Sequence, residues 1–111
     1  MVYLLNIDWI SRSAEFAIQI GAAERRGSGI GHWATMEMLR HGFRDLNLQR
    51  IYLTVVAHNE AAMRLYLRAG FAQEGRMRKA AFKNGVYADM MMMAILADEF
   101  AAPSTIAGKA P

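Results

Sequence analysis

Between an alternating apolar run and a helical one lies Ala23-Glu24-Arg25-Arg26-Gly27-Ser28-Gly29-Ile30-Gly31, which restricts the fold more than any other stretch. Three glycines at every second position remove side-chain bulk and permit positive φ, so consecutive backbone N–H groups can converge on an anion at a helix start. The helix dipole adds to that attraction, and the forks of Arg25 and Arg26 match phosphate oxygens in pairs. A loop of this composition is otherwise an ordinary helix-start turn. Spacing excludes two familiar phosphate loops. Counted from Gly27, G-x-G-x-x-G puts His32 where the third glycine belongs, and no Gly-Lys-Ser/Thr is present. What remains is R-x-x-G-x-G, read from Arg26 to Gly31.

The flanking patterns fix the order of elements. Val2 to Asp8 reads as a strand, Trp9 to Ser13 as a loop, and Ala14 to Ile20 as a second strand, most simply joined as a hairpin. After the glycine loop, Ile30, Ala34, Met38, Leu39, Gly42, Phe43 and Leu46 recur at three- and four-residue steps, predicting a helix from about Ile30 to Leu46. Arg50 to Val56 is rich in β-formers. Strand, helix and strand in this order make a βαβ unit whose two strands are parallel, with a right-handed crossover. The candidate phosphate loop sits at its first turn.

A second helix opens at Asn59, a good N-cap, with Glu60 favourable to the dipole and Ala62, Leu65, Tyr66 and Ala69 on one face. Gly70 suits its C-terminal stop. Phe71 to Phe82 and Val86 to Leu96 flank Asn84-Gly85, a strong hairpin signal, so the sheet is expected to end in an antiparallel pair. Residues 1–100 are read as one domain and 101–111, small and punctuated by Pro and Gly, as a mobile tail.

Composition narrows the chemistry. A hydrophobic fraction of 54% with 21% charged residues is that of a globular chain. The net charge of +3 is modest, so a mixed solvated surface is a better reading than a nucleic-acid footprint. Zero cysteines exclude disulfides, thiol nucleophiles and Cys-ligated metals, and the three histidines show no ligand spacing, so no metal is expected. No basic region precedes the short N-terminal apolar run, and Met90 to Leu96 is too short to span a bilayer; the cytoplasm is the default expectation.

The most specific signal lies in the second helix. Asn59-Glu60-Ala61-Ala62-Met63-Arg64-Leu65-Tyr66-Leu67-Arg68-Ala69-Gly70-Phe71 resembles the N-x-x-A-x-x-L-Y-x-x-x-G-F signature of the GNAT superfamily of acyl-CoA N-acyltransferases. Upstream, at the expected interval, R-x-x-G-x-G resembles that superfamily's pyrophosphate loop. Gly85 to Leu96 resembles the last strand of the branch that acetylates protein N-termini, polyamines and amino sugars. The resemblance covers about Val2 to Leu96. It implies an α/β fold: a mixed sheet with a central parallel strand pair, two flanking helices and a C-terminal antiparallel hairpin.

It also implies a reaction, transfer of an acetyl group from acetyl-CoA to a primary amine of a small molecule or peptide, by direct attack in a ternary complex. By this resemblance Arg26, Gly27, Ser28, Gly29, Ile30 and Gly31 hold the pyrophosphate, with Arg25 nearby. The pantetheine arm hydrogen-bonds along Phe16, Ala17, Ile18, Gln19 and Ile20. Asn59 and Ala62 border the arm, and Tyr66 is the expected general acid, since a phenol near pKa 10 can reprotonate a thiolate near 8.5. On helical spacing alone Tyr66 is more simply a core aromatic. Glu15 and Asp89 are the carboxylates placed to act as base, though each is equally a surface or hairpin-paired group, and a water chain can also drain an amine proton.

Members of the superfamily carry a leading strand, two helices and a further strand before the equivalent of Val2. Those are expected to be missing here, which would leave Val2 to Asp8 at a sheet edge and favours a homodimer. The same gap keeps open a non-catalytic CoA-binding remnant or subunit. The basic cluster Arg76, Arg78, Lys79 and Lys83 reads as a charged guard on an edge strand rather than an RNA groove.

Overall fold

The computed structural model describes residues 2–18 and 30–100, with Ile30 described by its backbone. Five strands form one sheet: β1 (Val2–Asp8), β2 (Ser13–Ile18), β3 (Arg50–Val56), β4 (Ala72–Lys83) and β5 (Val86–Leu96). Two helices, α1 (Ile30–Arg40) and α2 (Glu60–Ala69), connect β2 to β3 and β3 to β4. The strand order is β1-β2-β3-β5-β4, with β2 and β3 parallel and every other neighbouring pair antiparallel. This is the mixed sheet with a central parallel pair and terminal hairpin that the sequence predicts.

Alternation decides which face is covered. In β3, Ile51, Leu53 and Val55 are buried while Arg50, Tyr52, Thr54 and Val56 are half-buried. Ala14 and Phe16 of β2 and Met91, Met93 and Ile95 of β5 extend the same buried face, and Leu39, Tyr66 and Ala69 close over it from the helices. Both crossovers thus place their helices on one side, as two right-handed connections between parallel strands require. Fully burying a side chain such as Leu39 or Ile51 contributes about 1.5–3 kcal/mol, so this single face supplies the main driving force. Within the run of four methionines, Met91 and Met93 point into the core and Met90 and Met92 away from it.

The helix after the glycine loop ends differently from its periodicity. It is α-helical to Arg40 and then widens into a π-helical turn, His41–Asp45, in which the Leu46 N–H donates to the His41 carbonyl at 3.0 Å. Gly42 is the buried residue of this turn. A Cβ there would stand 2.7 Å from Ile51 Cδ1, so the wide turn and the missing side chain together let the backbone settle onto β3. Thr35, absent from the predicted apolar face, is fully buried, and its hydroxyl donates to the Gly31 carbonyl at 2.7 Å. After β5, a 3-10 turn (Ala97–Glu99) brings Phe100 against Phe43, with ring centroids 5.4 Å apart. The tail 101–111 lies outside the described residues.

Candidate active site

The parallel ladder between β2 and β3 is short. It pairs Ser13 with Arg50, Ala14 with Ile51 and Glu15 with Tyr52, and stops there, although β2 continues to Ile18 and β3 to Val56. Beyond Glu15 the inner edges of the two strands face each other without pairing, and a slot opens in the middle of the sheet. Phe16, Ala17 and Ile18 keep their ladder to β1, opposite Leu4, Tyr3 and Val2, so only the edge toward β3 has free backbone groups. Such groups need partners.

Each side of the slot carries one titratable group of interest. On the helix side, Tyr66 is only 7% exposed, and its ring meets Phe16 edge-on at 6.1 Å and Phe71 edge-on at 5.8 Å. Phe16 is the first residue of β2 past the end of the ladder, so Tyr66 packs directly against the mouth of the slot. Burial pushes its phenol above the ordinary value of 10.0, keeping it a protonated donor at neutral pH. Glu15 belongs to the other side. It is half-buried on the face away from the helices, in the last paired rung, and its Oε1 accepts a hydrogen bond from Asn6 Nδ2 at 2.9 Å.

The helix that presents Tyr66 is fixed at both ends by local chemistry. Asn59 Oδ1 accepts from the Ala62 N–H at 3.2 Å, satisfying one of the free donors of the first turn. Gly70 ends the helix at φ +112°, where its N–H and that of Phe71 return to the carbonyls of Leu67 and Tyr66. Asn59 and Ala62 therefore sit at the start of α2, about two turns and one turn before Tyr66 respectively.

The remaining predicted residues divide cleanly. Gln19, Ile20, Arg25, Arg26, Gly27, Ser28 and Gly29 lie outside the described residues. Ile30 begins α1 and Gly31 follows it, so these two of the predicted loop residues stand at a helix N-terminus. Asp89, the other carboxylate weighed as a base, is occupied: Oδ1 accepts from the Lys79 N–H at 2.8 Å and Oδ2 from Arg76 Nε at 2.7 Å. Those bonds hold its carboxyl below the usual carboxylate range, the Lys79 N–H most of all, and make it a pin for the β4–β5 hairpin. Among the described residues no group of His, Cys, Asp and Glu could hold a metal. Asn6 is the residue that sequence reasoning missed, because nothing local pairs it with Glu15.

A sheet split at its parallel pair and a buried tyrosine beside the split agree with what the resemblance implies. Residues 1–72 match the acetyltransferase (GNAT) domain family, and the chain belongs to that family. It is 40% identical over 100 residues to the spermidine N(1)-acetyltransferase of Vibrio cholerae, a match covering 90% of this chain and 57% of that protein. To the Escherichia coli K12 enzyme of the same name it is 34% identical over 109 residues, covering 98% of this chain and 58% of the relative. The crystal structure of the Vibrio cholerae spermidine N-acetyltransferase in complex with CoA and spermine superimposes with a TM-score of 0.84 at 39% identity, covering 88% of this chain and 57% of that one. The chain thus spans less than two thirds of the length of these relatives.

Proposed function

We propose that this chain transfers an acetyl group from acetyl-CoA to a primary amine, with a polyamine of the spermidine type as acceptor. The observation that carries the reading is the slot, bounded by Tyr66 on the helix side and Glu15 on the opposite side. The pantetheine arm is an amide-bearing chain, and the free edge of Phe16, Ala17 and Ile18 offers it strand-like hydrogen bonds. The loop from Arg25 to Gly31 would take the pyrophosphate at the start of α1. Names of the relatives supply the acceptor class.

In this arrangement the thioester lies in the slot and the amine arrives from the Glu15 side. The amine must be neutral to attack, so Glu15 takes its proton, directly or through one water. The nitrogen lone pair forms the N–C bond, the C–S bond breaks with its electron pair leaving on sulfur, and the second N–H proton follows the first through Glu15, which has released the first to solvent, so that a neutral amide results. Tyr66 gives its phenolic proton to that thiolate and is reprotonated from solvent. Acid and base work from opposite faces, so the incoming nucleophile and the departing thiol do not compete for space. No covalent enzyme intermediate is formed.

A homodimer and a cytoplasmic location belong to the same proposal. The first rests on the free outer edge of β1, and the second on acetyl-CoA as a metabolite of the cell interior. The reading to be separated from this proposal is a CoA-binding subunit without turnover of its own. Thiol release from acetyl-CoA, followed with a panel of polyamines, amino sugars and peptide N-termini, separates the two. The proposal expects release that depends on a polyamine. CoA binding without release in any arm favours the subunit.

A further inference from the structure

The register of the outer hairpin contains one irregularity on the way to Glu15. Leu5 pairs with Glu15 and Asp8 with Ser13, so Asn6 and Ile7 together oppose Ala14 and one residue of β1 is extra. Asn6 adopts φ +49°, a left-handed conformation that Asn tolerates better than most residues. In a regular strand Asn6 would follow Leu5 onto the opposite face, toward the helices. The bulge turns it back, and its amide reaches Glu15 Oε1 at 2.9 Å.

We infer that Asn6 is a positioning residue for the acceptor side of the reaction: the bulge in β1 exists to hold the Glu15 carboxylate by one oxygen and leave the other toward the slot. The inference rests on the proposed role of Glu15. An amide N–H is suited to this task because it donates to a carboxylate without adding a charge that would repel a cationic acceptor. An unheld glutamate on a half-open face would sample several rotamers, and only some aim an oxygen at the slot.

The groups around Glu15 leave this role to Asn6. On its face of the sheet stand Leu5 and Tyr3 from β1, Ser13 and Ala17 from β2, and Tyr52 with Arg50 and Thr54 from β3. Arg50 is engaged by Glu74 through two hydrogen bonds of 2.8 and 2.9 Å, and Asp8 Oδ1 accepts from the N–H groups of Ile10 and Ser11. Of these neighbours, Asn6 is the one whose side chain donates to Glu15 among the described residues.

The test uses Asn6→Gly, which keeps the left-handed backbone and removes only the amide, and Asn6→Asp, which keeps size and conformation but turns a donor toward Glu15 into an acceptor. Acetylation of spermidine by the full chain is expected to fall roughly 5- to 10-fold in kcat for Asn6→Gly, the scale of one hydrogen bond to a charged group at a half-open site. Asn6→Asp is expected to lower it further and to move the acidic limb of the pH–rate profile upward. In a Glu15→Gln background Asn6→Gly should cost nothing more, an outcome a merely structural role does not give. Equal losses in both backgrounds, or wild-type turnover with an unmoved profile in Asn6→Gly, overturn the inference while leaving Glu15 as base. Glu15→Gln with wild-type turnover and profile overturns both. The contact is also read without turnover, from the side-chain amide resonances of Asn6, which should shift when Glu15→Gln removes the charge they donate to. Side-chain amide resonances that Glu15→Gln leaves unmoved overturn the inference.

Discussion

Tyr66 is held by two aromatic neighbours and by a helix capped at both ends, so its hydroxyl is removable without disturbing what surrounds it. Tyr66→Phe is expected to lower kcat roughly 10²-fold or more with little change in CoA affinity, the range for losing a general acid. Steady-state kinetics with calorimetric CoA titration reads both quantities, and unchanged turnover would return Tyr66 to the core. Its raised phenol pKa carries a second consequence. The stabilisation it reflects is complete below the unfolded value near 10 and is lost as pH rises through the higher folded value, so Tyr66→Phe should resist alkaline unfolding better than the wild type. Gly42 is the opposite kind of position, where a gain rather than a loss of atoms does damage. Gly42→Ala forces a methyl to within 2.7 Å of Ile51 Cδ1 and should cost about 1–3 kcal/mol in urea unfolding.

At the scale of elements, α2 was legible from end to end because its signals are local: Asn59 caps, Gly70 stops, and the apolar spacing between them names the buried face. The first helix was legible only to Arg40. Its π-helical end answers to Ile51 across the core, and no periodicity within the helix reports a neighbour on a strand. The same holds for the bulge at Asn6, which is a property of two strands in register. Thr35 was overlooked because a hydroxyl breaks an apolar pattern, although its bond to the Gly31 carbonyl satisfies it inside the helix. Asp89 was visible as a carboxylate but not as a pin, since β4 bulges between Met77 and Ala81 to place Lys79, at φ +52°, over it. That contact gives a pH signature. With its pKa lowered chiefly by the Lys79 N–H, the Asp89 contribution is present above the ordinary carboxylate value of 3.8 and disappears as pH falls through the folded value. The amide proton of Lys79 should therefore lose its hydrogen-bonded chemical shift on acidification, and Asp89→Asn should abolish that titration. A Lys79 resonance that does not titrate would release Asp89 from this role.

At the scale of the whole sheet, the described residues end in two outer strands, β4, which carries Arg76, Arg78, Lys79 and Lys83, and β1. The outer edge of β1 has no partner among the described residues, Leu5 and Ile7 are exposed along it, and Asp8 is its one charged side chain. A two-fold pairing of copies through this edge is the simplest closure. Sedimentation at micromolar concentration should give a dimer, and Leu5→Lys combined with Ile7→Lys should give a monomer. A wild-type monomer would rule that pairing out. The central parallel pair and the terminal hairpin could be anticipated from one βαβ unit and the Asn84-Gly85 turn, but not that β5 rather than β4 lies against β3. The slot was implied by the resemblance, which puts a splayed edge at Phe16 to Ile20, and by no residue pattern, since it depends on where a ladder stops rather than on which residues form it. Backbone amide shifts during titration with acetyl-CoA test that slot most directly. Perturbations are expected at Phe16, Ala17 and Ile18 and at Leu53 to Val56 across from them, together with the ring of Tyr66. Acetyl-CoA that binds and leaves all of these unmoved would contradict binding in the slot.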